Sequence, residues 1–333
     1  MKVYRANDAA PGALKGETVA VLGYGNLGRA AALNLRDSGL SVRIGNRDDE
    51  YAPRARDDGF EVVPLAAAAS DDIVFVLLPD EVIPEVFEKE IQTALHAGSA
   101  VTFASGYCLA FGLVHPPEGV DVLLLAPRMS GASARTRYLR GQGFWACAGV
   151  EADRSGRARE RLLGLAAALG VLRAGAIEMS AAVEATLDLF IEQTAGVLFG
   201  AAVMTAFEVG RAAGLPAEAL VMEMYMSGEM EAVFRAFRET GFIRSSHDHG
   251  PTAVFGGALR MTELDREAVT NNFQRVLDEI KSGAFARRFQ EESGKGYPVL
   301  GTVMEMIRGV TAMTEAEERL RSLTPDPGPP TTT

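Results

Sequence analysis

The sequence predicts a doubly wound, parallel α/β sheet followed by an all-α unit. Three observations predict it. Short apolar, β-branched runs alternate with helical segments through the first half. A glycine-rich turn follows the first of those runs directly, and beyond about Ser180 the chain reads as long apolar-rich helices without a strand pattern. A length of 333 residues favours two domains at roughly 100–200 residues each. We place them at 1–180 and 181–323, with the Pro/Thr/Gly-rich stretch 324–333 as a disordered tail.

Each element has its own signal. Residues 18–22 (Thr-Val-Ala-Val-Leu) form an apolar run stopped by glycine, and Ala30 to Arg36 reads as a helix closed by Asp37-Ser38-Gly39. Further strands are expected at 41–44, 72–78, 100–104 and 120–126, the third and fifth of the five ending at Pro79 and Pro127. Near-continuous apolar strands separated by helices imply a sheet covered on both faces. Long helical segments follow at 181–213, 217–240 and 266–282.

Composition narrows the function classes. With 47% hydrophobic and 23% charged residues, a disordered or fibrous chain is excluded. A net charge of -11 argues against nucleic-acid binding, which wants a basic face. No uninterrupted apolar run reaches the ~18 residues of a membrane span, and Met1 to Arg5 has no apolar stretch behind its charges. A soluble, cytoplasmic protein is expected. Cys108 and Cys147 form no C-x-x-C pair and read as buried thiols.

Gly23-Tyr24-Gly25-Asn26-Leu27-Gly28 fits G-x-G-x-x-G between a strand and a helix, the Rossmann setting that gives the motif its meaning. Gly23 permits the tight turn, Gly25 lets the backbone approach a pyrophosphate, and Gly28 lets helix and strand pack closely. These six residues, with Leu78, Pro79 and Gly106 in later loops, are the expected dinucleotide contacts. Cofactor choice is read near the end of the second strand. There Arg47 suits the 2′-phosphate of NADPH, whereas Asp48 and Asp49 suit the free ribose of NADH, so both cofactors stay open.

The chain resembles the shorter, single-helical-domain class of ketol-acid reductoisomerases. The resemblance runs through Gly23-Tyr24-Gly25, Leu33 to Gly39, Leu77-Leu78-Pro79-Asp80-Glu81-Val82, Pro116-Pro117-Glu118, Ala126-Pro127, Asp188-Leu189-Phe190 and Glu192-Gln193. It implies an N-terminal NADPH-binding Rossmann domain and a helical domain that forms an intertwined homodimer with shared active sites. It also implies two Mg²⁺ ions that drive an alkyl migration in 2-acetolactate before hydride reduces the ketone.

The sequence departs from the family pattern at the isomerase chemistry. Ser105 stands where the family has histidine, and Arg128 where it has lysine. Asp188 and Glu192 match the first metal-binding pair, but the second pair falls on Tyr225 and Glu229. A phenol, with a pKa of ~10, is a poor Mg²⁺ ligand, so at most one weakly held Mg²⁺ is expected, on Asp188 and Glu192.

Each candidate has an alternative. Asp188 and Glu192 are expected at the site, where they hold a metal or pair with a cationic substrate. Glu229 is a site residue or a surface carboxylate. Tyr225 either packs in a Met-rich helix, donates a proton, or faces a flat substrate. Ser105 contacts nicotinamide or substrate, and Arg128 holds an anionic group. His247 and His249 are exposed loop residues, a general acid, a phosphate contact or metal ligands. The leading expectation is an NAD(P)H-dependent reductase that has lost the isomerase step and reduces an imine, enamine or activated C=C in a specialised biosynthetic pathway. The alternatives are a genuine Mg²⁺-dependent ketol-acid reductoisomerase and a non-catalytic dinucleotide-binding protein.

Overall fold

The computed structural model describes residues 1–245 and 250–323. His247 and His249 therefore lie outside the described residues, as does the 324–333 stretch. The chain divides into two compact units, Met1–Asp188 and Leu189–Thr333, a division that falls inside the helix Ala181–Ile191.

The first unit is built on a nine-stranded sheet: β1 Val3–Tyr4, β2 Val19–Leu22, β3 Val42–Gly45, β4 Glu61–Val63, β5 Ile73–Val76, β6 Ala100–Phe103, β7 Asp121–Pro127, β8 Trp145–Ala152 and β9 Gly175–Glu178. Their spatial order is β1-β9-β8-β7-β6-β5-β2-β3-β4. All four residues of β2, β5 and β6 are buried, which explains why these strands read as continuous apolar runs. β2 pairs in parallel with β3 on one side and β5 on the other. The chain switches direction across the sheet here, so the turn after β2 opens at the crevice where such folds bind ligands.

Four strands escaped the sequence reading. β1 and β4 have two and three residues, too few to show a period. β8 runs antiparallel to β7, and β1 antiparallel to β9, so the sheet is mixed rather than wholly parallel. The first helix spans Asn26–Asp37, four residues earlier than its apolar stripe suggests, because Gly25 caps it. Cys108 and Cys147 are free and buried, as expected.

The second unit is helical throughout its described residues. A small core joins Phe207, Val221 and Ala316. Much apolar surface stays uncovered, Phe255 being 71% exposed. Helical residues 181–212 are long and apolar enough, by length and composition, to cross a membrane. Scattered polar residues such as Glu184 and Asp188 interrupt the apolar run in sequence, while the mean hydropathy over 18 residues of the helix still reaches 1.4.

Candidate active site

The turn after β2 shows why its glycines are glycines. Gly23 has φ +94°, and a Cβ there would lie 2.6 Å from the Leu77 carbonyl. At Gly28 a Cβ would lie 2.1 Å from the Gly23 carbonyl oxygen, so helix and turn touch backbone to backbone. Gly25 differs, because a Cβ there would meet nothing within 4 Å. Its bare face is turned to open space. That is what a backbone cradle for a pyrophosphate requires, and the residues present fit a dinucleotide.

A cleft of about 660 Å³ extends from this turn. Tyr24, Asn26, Leu27, Leu78 and Pro79 line it, as does Arg47, whereas Asp48 lines a smaller neighbouring cavity. The Tyr24 ring packs edge-on against Phe60, and its hydroxyl donates to Asp58 at 2.8 Å. Its share of the cleft is therefore its backbone and ring edge, not a free phenol. The Gly106 amide donates to Glu184 at 2.6 Å, and a Cβ there would lie 2.2 Å from the Ala181 carbonyl. Gly106 thus serves a close approach between backbones.

Ser105 and Asp80 meet at the cleft, where their side chains are hydrogen-bonded. Burial pushes the Asp80 carboxyl up to about 6, helped by the charges of Glu81, Glu184 and Asp188, while Ser105 opposes the shift. Arg128 follows β7 directly, and its guanidinium donates to both Glu184 and Asp188. Glu184 is 1% exposed, and burial raises its pKa against the pull of Arg128 and the Gly106 amide. Neither Glu184 nor Asp80 was singled out in the sequence. A signal for Glu184 existed: Glu184, Asp188 and Glu192 recur every four residues, one helix face.

The other candidates lie in the helical unit. Glu192 opens a π-turn, Glu192–Gly196. Tyr225 sits in a second, Met222–Met226, and such turns recur at functional sites. The Tyr225 hydroxyl donates to Glu317 at 2.6 Å, and burial and this carboxylate both push its pKa up. Glu229 is exposed at the start of the helix that follows Gly228. Among the described residues of the chain, no three His, Cys, Asp or Glu side chains converge on a point as metal ligands. Asp188 and Glu192 are hard oxygen donors that fit one Mg²⁺, which commonly takes one or two carboxylates and keeps several waters. Asp188 has to leave Arg128 to serve.

A Rossmann cleft with a glycine cradle, beside a buried glutamate and an arginine, defines a nicotinamide-dependent oxidoreductase. Residues 13–175 match the family described as acetohydroxy acid isomeroreductase, NADPH-binding domain, and residues 182–326 the ketol-acid reductoisomerase C-terminal domain. The chain belongs to the ketol-acid reductoisomerase family. It is 37% identical to the putative ketol-acid reductoisomerase 3 of Saccharolobus solfataricus, over 94% of this chain and 95% of that one. Identity is also 37% to the ketol-acid reductoisomerase (NADP(+)) of Methanopyrus kandleri, over 97% and 98%. A solved NADH-preferring ketol-acid reductoisomerase from an uncultured archaean aligns with a TM-score of 0.90 at 32% identity, covering 98% of this chain and all of that one. The protein is accordingly an NAD(P)H-dependent oxidoreductase.

Proposed function

We propose that the chain acts as a ketol-acid reductoisomerase, converting a 2-hydroxy-2-alkyl-3-oxo acid such as 2-acetolactate and reducing the rearranged ketone with NAD(P)H. The observation that carries this reading is end-to-end similarity, at 37% identity, to enzymes bearing that name. Those names support a ketol-acid substrate over an imine, enamine or activated C=C.

The chain's own residues supply most of what the reaction needs. Gly25 would hold the pyrophosphate, and Ser105 and Asp80 line the same cleft, where they could meet the nicotinamide end. A bound nicotinamide would supply hydride to the ketone carbon, and the hydrogen-bonded Ser105 and Asp80 are placed to give a proton to the oxygen. Arg128 is placed to hold the substrate carboxylate once a guanidinium N–H is released from Asp188. Asp188 and Glu192 are the residues that would hold Mg²⁺, which when bound would supply Lewis-acid polarisation. We further propose a cytoplasmic homodimer, since a second copy would cover the exposed apolar faces of the helical unit.

Arg128 and Tyr225 favour a second reading, reduction without the alkyl shift. One places a cation on Asp188, and the other replaces a carboxylate with a phenol committed to Glu317. One assay separates the two: cofactor oxidation with 2-acetolactate plus Mg²⁺, against oxidation with the rearranged ketone, 3-hydroxy-3-methyl-2-oxobutanoate. Turnover of both supports the reductoisomerase. Turnover of the rearranged ketone alone supports the reductase, and turnover of neither by cofactor-bound protein overturns both readings.

A further inference from the structure

From Val122 to Val150 the chain carries four arginines and no aspartate or glutamate, although it has 44 acidic residues in all. The fold gathers part of this basic stretch where β8 starts. Trp145 pairs in register with Gly175 of β9, and its ring rests on that bare backbone, since a Cβ on Gly175 would lie 2.8 Å from it. The Arg5 guanidinium covers the Trp145 ring at 4.9 Å and donates to the Ala174 carbonyl. Arg173 lies over the Tyr138 ring at 4.8 Å and donates to the Tyr138 carbonyl at 2.9 Å. Arg137 donates to the Gly143 carbonyl at 2.6 Å. Arg140 is exposed just past the end of the helix Gly131–Leu139.

These cations are not neutralised. The oxygens that hold Arg5, Arg137 and Arg173 are backbone carbonyls, and ring faces cover two of them, which positions a guanidinium without cancelling its charge. Among the described residues, no carboxylate pairs with any of these three or with Arg140. Two acids adjoin the patch, and both are engaged. Asp8 accepts from the Arg5 amide at 2.7 Å, and Asp37 is paired with Arg36 and Arg135. Apolar surface lies beside the charges, with Leu139 65% and Trp145 42% exposed. Tryptophan and arginine are the residue types that most often anchor protein interfaces.

We propose that this face docks an acidic segment of a partner protein, whose carboxylates take the remaining guanidinium N–H groups and whose apolar side chains cover Trp145 and Leu139. Charge complementarity favours such a partner, and carboxylates match the arginine fork. A nucleic acid fits less well. Its phosphate backbone offers nothing to Leu139, and a net charge of -11 repels a long polyanion beyond the patch. None of these residues lines the dinucleotide cleft, so the docking face stands or falls apart from the oxidoreductase reading.

Trp145 is the only tryptophan of the chain, so tryptophan emission reports on this face alone. The purified full chain is titrated with a peptide of about ten residues that alternates glutamate and leucine, and separately with an oligothymidylate of equal charge. The peptide is expected to shift the Trp145 emission with a dissociation constant below about 1 mM, and to bind more weakly as salt is raised. Arg140→Glu reverses an exposed charge outside the packed rings and is expected to weaken peptide binding about tenfold. No emission change up to about 1 mM peptide would overturn the proposal. So would a folded Arg140→Glu chain that binds as tightly as wild type, or an oligothymidylate that binds as tightly as the peptide.

Discussion

Arg128 holds Asp188. The guanidinium reaches from the end of β7 to the helix Ala181–Ile191, bonding Asp188 with one nitrogen and the buried Glu184 with another. A third link runs from the Gly106 amide, past the end of β6, to the same Glu184. Two loops at the carboxyl edge of the sheet are therefore fastened to one helix by one carboxylate and one cation. A lysine's point charge could serve one carboxylate in this way, whereas the fork of an arginine serves two.

Removing that cation should cost stability out of proportion to its exposure. Arg128→Met leaves Glu184 buried with only the Gly106 amide, and a loss of about 2–3 kcal/mol is expected. Adding Glu184→Gln removes the uncompensated charge and should recover a substantial part. Urea unfolding of the two single variants and the double variant measures this, and strictly additive losses would show that the pair is not coupled.

Asp80 gives the protein a pH signature. Its pKa rises from about 3.8 to about 6 on folding, so between those values the folded chain binds more protons than the unfolded one. Stability therefore falls as pH climbs through that window, and the full penalty is present above about pH 6. Asp80→Asn removes the titration. It should stabilise the protein by about 1–2 kcal/mol at pH 8, the two-unit shift being discounted for partial exposure, and by almost nothing at pH 4. Denaturant melts at both values test it; a gain that does not change with pH would place the effect in packing.

The glycines of the turn divide by what surrounds them. Gly28→Ala pushes a methyl into the Gly23 carbonyl and should cost about 1–3 kcal/mol as well as cofactor affinity. Gly25→Ala meets open space at φ -70°, which alanine tolerates, so its melting point should stay near that of wild type while cofactor affinity drops. Thermal melts paired with dinucleotide titrations separate the two. Equal melting losses would mean that Gly25 serves the fold and not the ligand.

Much of this architecture is legible in the sequence because the strands that form the site are buried on both faces. β2, β5 and β6 appear as apolar runs for that reason, and the glycine turn lies between one of them and its helix. The edge of the sheet is not legible, since Val3–Tyr4 and Glu61–Val63 are held by their partners and not by any local pattern. Site partners fare the same way. Arg128 and Asp188 stand out through chemistry, but Glu184 is 56 residues from Arg128, and only the fold brings them together. Tyr225 can be placed in a Met-rich helix from sequence, while its bond to Glu317, 92 residues on, cannot.

That bond decides what Tyr225 does. Its hydroxyl donates to Glu317 within the helical unit, and its ring packs against the cluster of Phe207, Val221 and Ala316. Tyr225→Phe keeps the ring, loses the hydrogen bond and strands a carboxylate that Arg321 still neutralises at 3.3 Å. The expected result is a stability loss of about 1 kcal/mol with turnover within about threefold of wild type. A raised pKa also makes the phenol a weaker acid near neutral pH, which counts against it as a proton donor. Steady-state kinetics beside a urea melt measures both quantities. A hundredfold fall in turnover with stability intact would return the hydroxyl to the chemistry, because a structural bond cannot produce that split.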